Sequence, residues 1–283
     1  MATSPTSAAR VHQIGAALRE LRESTGLSGS RVAARTGISQ SKISKIENGL
    51  IRPTAGETAR LLSALGASEE TKAQIVEQAQ AAQVTFTTIG QYKQLGLDRH
   101  QHRVAAWEGA ANELHHLSVA LVSGLLQSPA YIRGIFAMPA YRDRPDAEAA
   151  VAGRLERQKI LHEPDRVFNF VLMESALRHR IVSAPDMADQ ADHLVAMSRL
   201  PQIRISVLPM AVRLPTEILH AFSIFDRDWV LVETSHGDLK SLRPEDTRSY
   251  LERFELLQGA ALQGDDVRAF LGEVAAQYRA DVD

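Results

Sequence analysis

A chain of 283 residues is long enough for two domains with real cores, and its 45% apolar and 23% charged residues are ordinary for a globular protein. It has no cysteine, which excludes disulfides, thiolate metal sites and a cysteine nucleophile. The formal charge of −2 hides an asymmetry: Met1 to Gly66 carries nine Lys and Arg against four Asp and Glu, a net of +5, while the remainder carries 23 basic and 30 acidic residues, a net of −7. A basic N-terminal module suits phosphate, and DNA would repel the acidic remainder. No apolar run approaches the ~18–20 residues that span a bilayer, and the N-terminus lacks the apolar core of a secretion signal, so no membrane partner and a cytoplasmic location are expected.

In chain order, residues 1–10 are rich in Ser, Thr, Ala and Pro and read as a disordered tail. Val11, Ile14, Leu18 and Leu21 form an apolar stripe on a helix from about 11 to 24. Ser28 caps a second helix reaching about Arg35, with Val32 and Ala33 inward, and Gly37 supplies the positive φ of a sharp turn. Ser39 caps a third helix, which Asn48-Gly49 ends. Ile43 and Ile46 share one face of it. At about 100° per residue, Gln40, Ser41, Ser44 and Lys45 cluster on the other. One amide, two hydroxyls and an ammonium suit base edges and phosphates in a major groove: Gln pairs bidentately with adenine, Lys reaches guanine, and Ser bonds to either.

Two amphipathic helices with their polar sides in water would explain each residue singly. The cap, turn Gly, paired Ile, IENG ending and Arg52-Pro53 restart together favour a helix-turn-helix whose reading helix is about 40–47. Thr54 then caps a fourth helix, with Ala59, Leu61, Leu62 and Leu65 facing the core and Gly66 at its end. Ser68 opens a fifth, through about Gln83. This gives a five-helix domain over 11–83, followed by an irregular linker over 84–97 containing Gly90 and Gly96.

On these residues, 11–66 resembles the Xre-type, lambda-repressor/Cro-like regulators, and SQSKISKIENG is close to that family's recognition helix. The resemblance implies base reading by Gln40, Ser41 and Lys45, phosphate contacts from Lys42, Asn48 and Arg52, and a salt bridge between Arg22 and Glu47. Ser44 joins the base-reading set by sharing their face. One position departs: Gly29 stands where the family commonly has Gln, so that phosphate contact is absent or passes to Ser30 or Arg31.

From 98 to 283 the periods mix. Helices are expected at about 98–111, 144–162, 185–200, 244–257 and 265–279, with a further helix restarting near Pro129. Strands are expected at 114–122, with a partner broken at Gly124, and at 166–173 as a half-buried strand. Further strands fall at 203–209, 220–226 and 229–234, the last two joined by a hairpin at Asp226-Arg227-Asp228. This is an α+β domain with antiparallel strands. Its landmarks LVSGLLQSPAY, RLERQKIL, ISVLP, FSIFD, WVLVET and GDLKSL are similar to the C-terminal domain accompanying many actinomycete Xre-type regulators. That domain has no settled function, and such regulators often sit beside a small partner protein.

Chemistry in the second domain finds little support. His100 with His102 would splay on a helix, and His115 with His116 would point to opposite faces of a strand, so no metal is expected. Glu233, His236 and Asp238 suggest an acid/base site, but a polar turn at Gly237 explains them more simply; neither a nucleophile elbow nor a Gly-rich phosphate loop is present. Glu174 reads as a helix-starting carboxylate, and Gln127 and Tyr131 as pocket residues or part of a capped helix start. The chain is expected to be a non-enzymatic, cofactor-free, homodimeric regulator of transcription that binds double-stranded DNA. Its C-terminal domain would answer to a small-molecule effector or a partner protein. The alternative is a DNA-tethered interaction module, antitoxin-like or partner-dependent, with no ligand of its own.

Overall fold

Side-chain caps fix the ends of the N-terminal helices. The computed structural model describes residues 7–88, 90, 91 and 96–281, and divides the chain into one unit up to Thr85 and another from Phe86. The first contains α1 (Ser7–Ser24), α2 (Gly29–Thr36), α3 (Gln40–Glu47), α4 (Ala55–Ala64) and α5 (Glu69–Gln83). Ser28, Ser39 and Ser68 each accept a hydrogen bond from the backbone N–H three residues on. Thr54 and Glu57 form a reciprocal capping box. Gly37 turns the chain between α2 and α3 at φ +70°, a conformation that costs glycine nothing.

Ile14, Leu18, Val32, Ile43, Ile46, Leu61 and Leu62 are buried together as one core. The helix α1 starts four residues before the expected Val11, so of the expected tail only residues 1–6 remain, outside the described residues. The expected linker at 84–97 contains a strand, β1 (Val84–Thr88); residues 89 and 92–95 lie outside the described set.

The second unit continues with α6 (Leu97–Ala110), β2 (Glu113–Ser118), α7 (Pro129–Phe136), α8 (Ala147–Arg157), a 3-10 turn (Gln158–His162), β3 (Val167–Met173), α9 (Glu174–Arg178) and α10 (Ala184–Met197). It closes with β4 (Ile203–Leu208), β5 (Phe222–Phe225), β6 (Trp229–Thr234), β7 (Gly237–Ser241), α11 (Pro244–Ala260) and α12 (Gly264–Ala280). The seven strands form one sheet in the order β1-β7-β6-β5-β2-β3-β4. β2, β3 and β4 run parallel, and β5, β6 and β7 run antiparallel, so the sheet is mixed.

Helices cover both faces. Phe168, Phe170 and Leu172 of β3 pack with Leu194 of α10 and Leu271 and Val274 of α12, while Val171 packs with Phe254 and Leu257 of α11. β3 is therefore buried on both faces, not half-buried, as a central parallel strand must be.

Three other expectations are corrected. The segment after Ser118 forms no strand: β2 pairs with β3 and β5 instead of a neighbour broken at Gly124. The long helix at 144–162 divides into α8 and the 3-10 turn. β7 was not anticipated; it pairs with β6 through a tight turn at Ser235-His236. The β5–β6 hairpin closes with Asp226 at φ +51° and Arg227 at φ +58°, and Asp228 N donates to Phe225 O at 2.9 Å, a type I′ turn. Asp226 Oδ1 accepts from the backbone N–H groups of Asn112 and Glu113, which ties that turn to the start of β2.

Candidate nucleic-acid interface

The third helix separates its two faces by burial. Ile43 and Ile46 are buried, and Gln40, Ser41, Ser44 and Lys45 are all exposed on the opposite side. Burying two isoleucines fixes the helix's rotation, because turning it would expose them at roughly 1.5–3 kcal/mol each. At its far end Gly15 of α1 allows a close approach. A Cβ there would overlap Ile46 O and stand 3.0 Å from Glu47 O.

Arg22 and Glu47 clamp the same junction. Arg22 Nε donates to Glu47 Oε1 at 2.7 Å and Nη2 to Oε2 at 3.0 Å, a bidentate pair with both side chains mostly buried. The hydrogen bond to Glu47 raises the guanidinium pKa further. A third guanidinium N–H, on Nη1, reaches Leu27 O at 3.3 Å, joining the pair to the α1–α2 connection.

The residues that the resemblance assigns to phosphate do not stand alike. Arg31 is exposed. Lys42 is engaged: its Nζ donates to Glu57 Oε1 at 2.5 Å, joining the start of α3 to that of α4. Burial tends to raise the Glu57 carboxyl, but hydrogen bonds from Lys42 and Thr54 outweigh it and hold it below the ordinary carboxylate range. Asn48 Nδ2 donates to Ser44 O at 2.8 Å, so the amide helps close the end of α3. Arg52 is half-buried, and desolvation lowers its pKa. At Gly29 an added Cβ would meet Gln40 Cγ at 3.5 Å, an ordinary contact, so a side chain fits beside Gln40.

In the second unit Glu174 does start a helix. Its oxygens accept from Arg178 Nε at 3.0 Å and Met210 N at 2.8 Å. Tyr131 is fully buried, which pushes its phenol up to about 12, and Ser128 caps α7. His115 packs edge-on against Phe254, and His116 bonds to Ser223 at 2.8 Å. No group of three or more potential metal ligands stands together among the described residues. The turn containing His236 is a hairpin, but Glu233 and Asp238, on either side of it, line a cavity together with Gln127. Sequence reasoning missed the rest of that cavity, notably Glu108, Arg154 and Arg157. The available signal was a row of polar residues on α6 (Gln101, Glu108) at positions where an inward apolar stripe would be expected.

No helix among the described residues is long and apolar enough to cross a membrane. A helix-turn-helix domain model matches residues 13–75, and the model for a domain of unknown function, DUF5753, matches residues 101–273. No curated protein matches the chain. Among solved structures, one described as TrmBL2, an archaeal chromatin protein with a novel mode of DNA binding, is 10% identical over 84% of this chain and 88% of its own, with a TM-score of 0.31. The helix-turn-helix match supports DNA binding. By the extent of the C-terminal match, the chain belongs to the DUF5753 family, with a helix-turn-helix domain at its N-terminus.

Proposed function

We propose that this protein is a sequence-specific, non-enzymatic regulator of transcription of the Xre type, acting as a homodimer that inserts α3 into the DNA major groove. The observation carrying this reading is the division of α3, with Gln40, Ser41, Ser44 and Lys45 outward and Ile43 and Ile46 buried. Arg31 flanks that face, and Asn48 and Arg52 follow it, for phosphate. A single such helix reads few base pairs, so two copies on half-sites about 34 Å apart supply useful specificity. The C-terminal unit sets the activity in the cytoplasm through a small molecule or a partner protein. A partner is favoured by the connection between β4 and β5, where Met210, Leu214 and Leu219 are exposed.

Selection of bound DNA from a random pool tests the reading. The parent is expected to return a two-fold repeated motif, and Gln40→Ala to lose preference at one or two positions in each half, about 1–3 kcal/mol per position. Identical motifs from the two proteins would remove Gln40 as a reader, and no motif from the parent would remove sequence specificity.

A further inference from the structure

The C-terminal unit holds a cavity of about 720 Å³, within the range of small-molecule sites. Phe136, Phe225 and Leu231 give it apolar walls. Two of its arginines are paired with acids, Arg144 with Asp146 at 3.1 Å and Arg157 on α8 with Glu108 on α6 at 3.2 Å. Two more charged groups line it without an ion pair among the described residues: Arg154 on α8 and Glu233 on β6.

Neutral groups hold Arg154. Its Nη1 donates to Gln127 Oε1 at 2.8 Å and its Nε to Gln101 Oε1 at 3.4 Å, with the guanidinium 4.7 Å from the Phe136 ring centre. Arg157 Nη1 donates to the same Gln101 oxygen at 3.0 Å, so one buried amide fixes both forks. That leaves the Nη2 nitrogen of each. Neither has an acceptor among the described residues, and both keep accessible surface. Gly124, also in the cavity wall, makes room for one of them: an added Cβ would stand 2.5 Å from Arg157 Nη2.

Glu233 is the counterpart. It keeps accessible surface although protein surrounds it, because it faces the cavity, and no described residue donates to its carboxylate. Asp238, opposite it across the ladder, is buried and engaged. Burial, then Asp238, raises the Glu233 carboxyl, while burial, then Arg157, lowers the Arg154 guanidinium to about 10, so charge is disfavoured at both places. A cation and an anion thus face one space without touching, which is costly where water is scarce unless something charged at both ends lies between them.

We infer that this cavity binds a small zwitterion of the amino-acid class, its carboxylate accepting from the Nη2 groups of Arg154 and Arg157, its ammonium donating to Glu233, and its apolar body against Phe136, Phe225 and Leu231. The two guanidiniums offer a carboxylate a pair of charge-assisted hydrogen bonds, and the Arg157–Glu108 pair stays as it is, because only an Nη2 N–H is used. A singly charged ligand would serve one end and leave the other buried without a partner. A zwitterion serves both and adds no net charge to the cavity. This site gives chemical identity to the effector in the regulator reading; binding itself does not require that reading, and only its effect on DNA affinity rests on it.

The test screens the full chain by ligand-observed NMR against hydrophobic α- and ω-amino acids and dipeptides, each also as its N-acetyl and its carboxamide derivative, with Kd by calorimetry. The best zwitterions should bind about tenfold or more tighter than either of their own blocked forms, since each block removes one charge-assisted contact. These comparisons need no variant. Glu233→Gln should erase the discrimination against the N-acetyl form and keep that against the carboxamide, and Arg154→Met should do the reverse, with thermal unfolding of Glu233→Gln unchanged. No binding at millimolar concentration, a blocked form binding as tightly as its zwitterion, or discrimination at the amine end surviving in Glu233→Gln would overturn the inference. DNA binding without zwitterion preference would sink this proposal alone, and zwitterion preference without DNA binding the regulator reading alone.

Discussion

Replacing Gly15 by Ala probes the packing that orients α3. The new Cβ would overlap Ile46 O and lie 3.0 Å from Glu47 O and 3.2 Å from Glu47 C, all backbone atoms that cannot swing aside as a side chain would. The helix α1 must therefore lift away from the end of α3. Overpacking of this kind costs about 1–3 kcal/mol. Alanine's better helix propensity returns up to about 1 kcal/mol. A net loss of about 1–2 kcal/mol raises the local opening constant roughly five- to thirtyfold. The same change at Gly56, where an added Cβ meets nothing within 4 Å, should cost nothing. Hydrogen exchange read by mass spectrometry on peptides from α1 and α3 of the full chain measures both. Tryptophan fluorescence is the control, because Trp107 and Trp229 both lie in the other unit. Protection in Gly15→Ala equal to the parent's, or above it, would refute the close approach.

Three further expectations come from charged groups. Arg22→Met leaves the mostly buried Glu47 carboxylate without its bidentate donor and should destabilise the N-terminal unit by about 1–3 kcal/mol, measured by hydrogen exchange; Arg22→Met with Glu47→Leu should recover most of that. Because Lys42 already serves Glu57, Lys42→Ala should change the salt slope of DNA binding by clearly less than the ~0.9 expected for losing a free phosphate contact, and Arg31→Ala by about that amount. Glu108 binds its proton more tightly folded than unfolded, so its contribution to stability falls as pH rises from about 4.5 to about 7, by roughly 3 kcal/mol in all. The neutral His100 and His116 act oppositely, adding stability as pH rises from about 4 to 6.5. Urea denaturation of the parent and Glu108→Gln should therefore diverge in the variant's favour across pH 5 to 8, and a constant difference would contradict the assignment.

What the sequence disclosed is what local chemistry determines. Ser28, Ser39 and Thr54 mark helix starts because a hydroxyl satisfies N–H groups within its own turn, and Gly37 marks the corner by its φ. The opposition of Ile43 and Ile46 to Gln40 and Lys45 follows from the helical repeat alone. The second unit was less legible where its structure is set from a distance. β3 carries apolar residues on both faces because helices cover both sides of the sheet, which its own alternation does not reveal. β7 is short and polar, and it is a strand because β6 lies beside it. The cavity was hidden for the same reason. Glu108 and Glu233 are 125 positions apart, and nothing local to either says that folding brings both against Arg157. The Lys42–Glu57 contact was hidden likewise, since it depends on the neighbouring capping box and not on anything local to Lys42.

Site-specific photocrosslinking tests most directly which surface meets DNA. A photoreactive side chain at position 44, on the outward face of α3, should capture a base within the selected DNA motif, while one at position 192, on α10 of the other unit, should capture none. Capture from 192 but not from 44 would mean that α3 is not the helix in the groove.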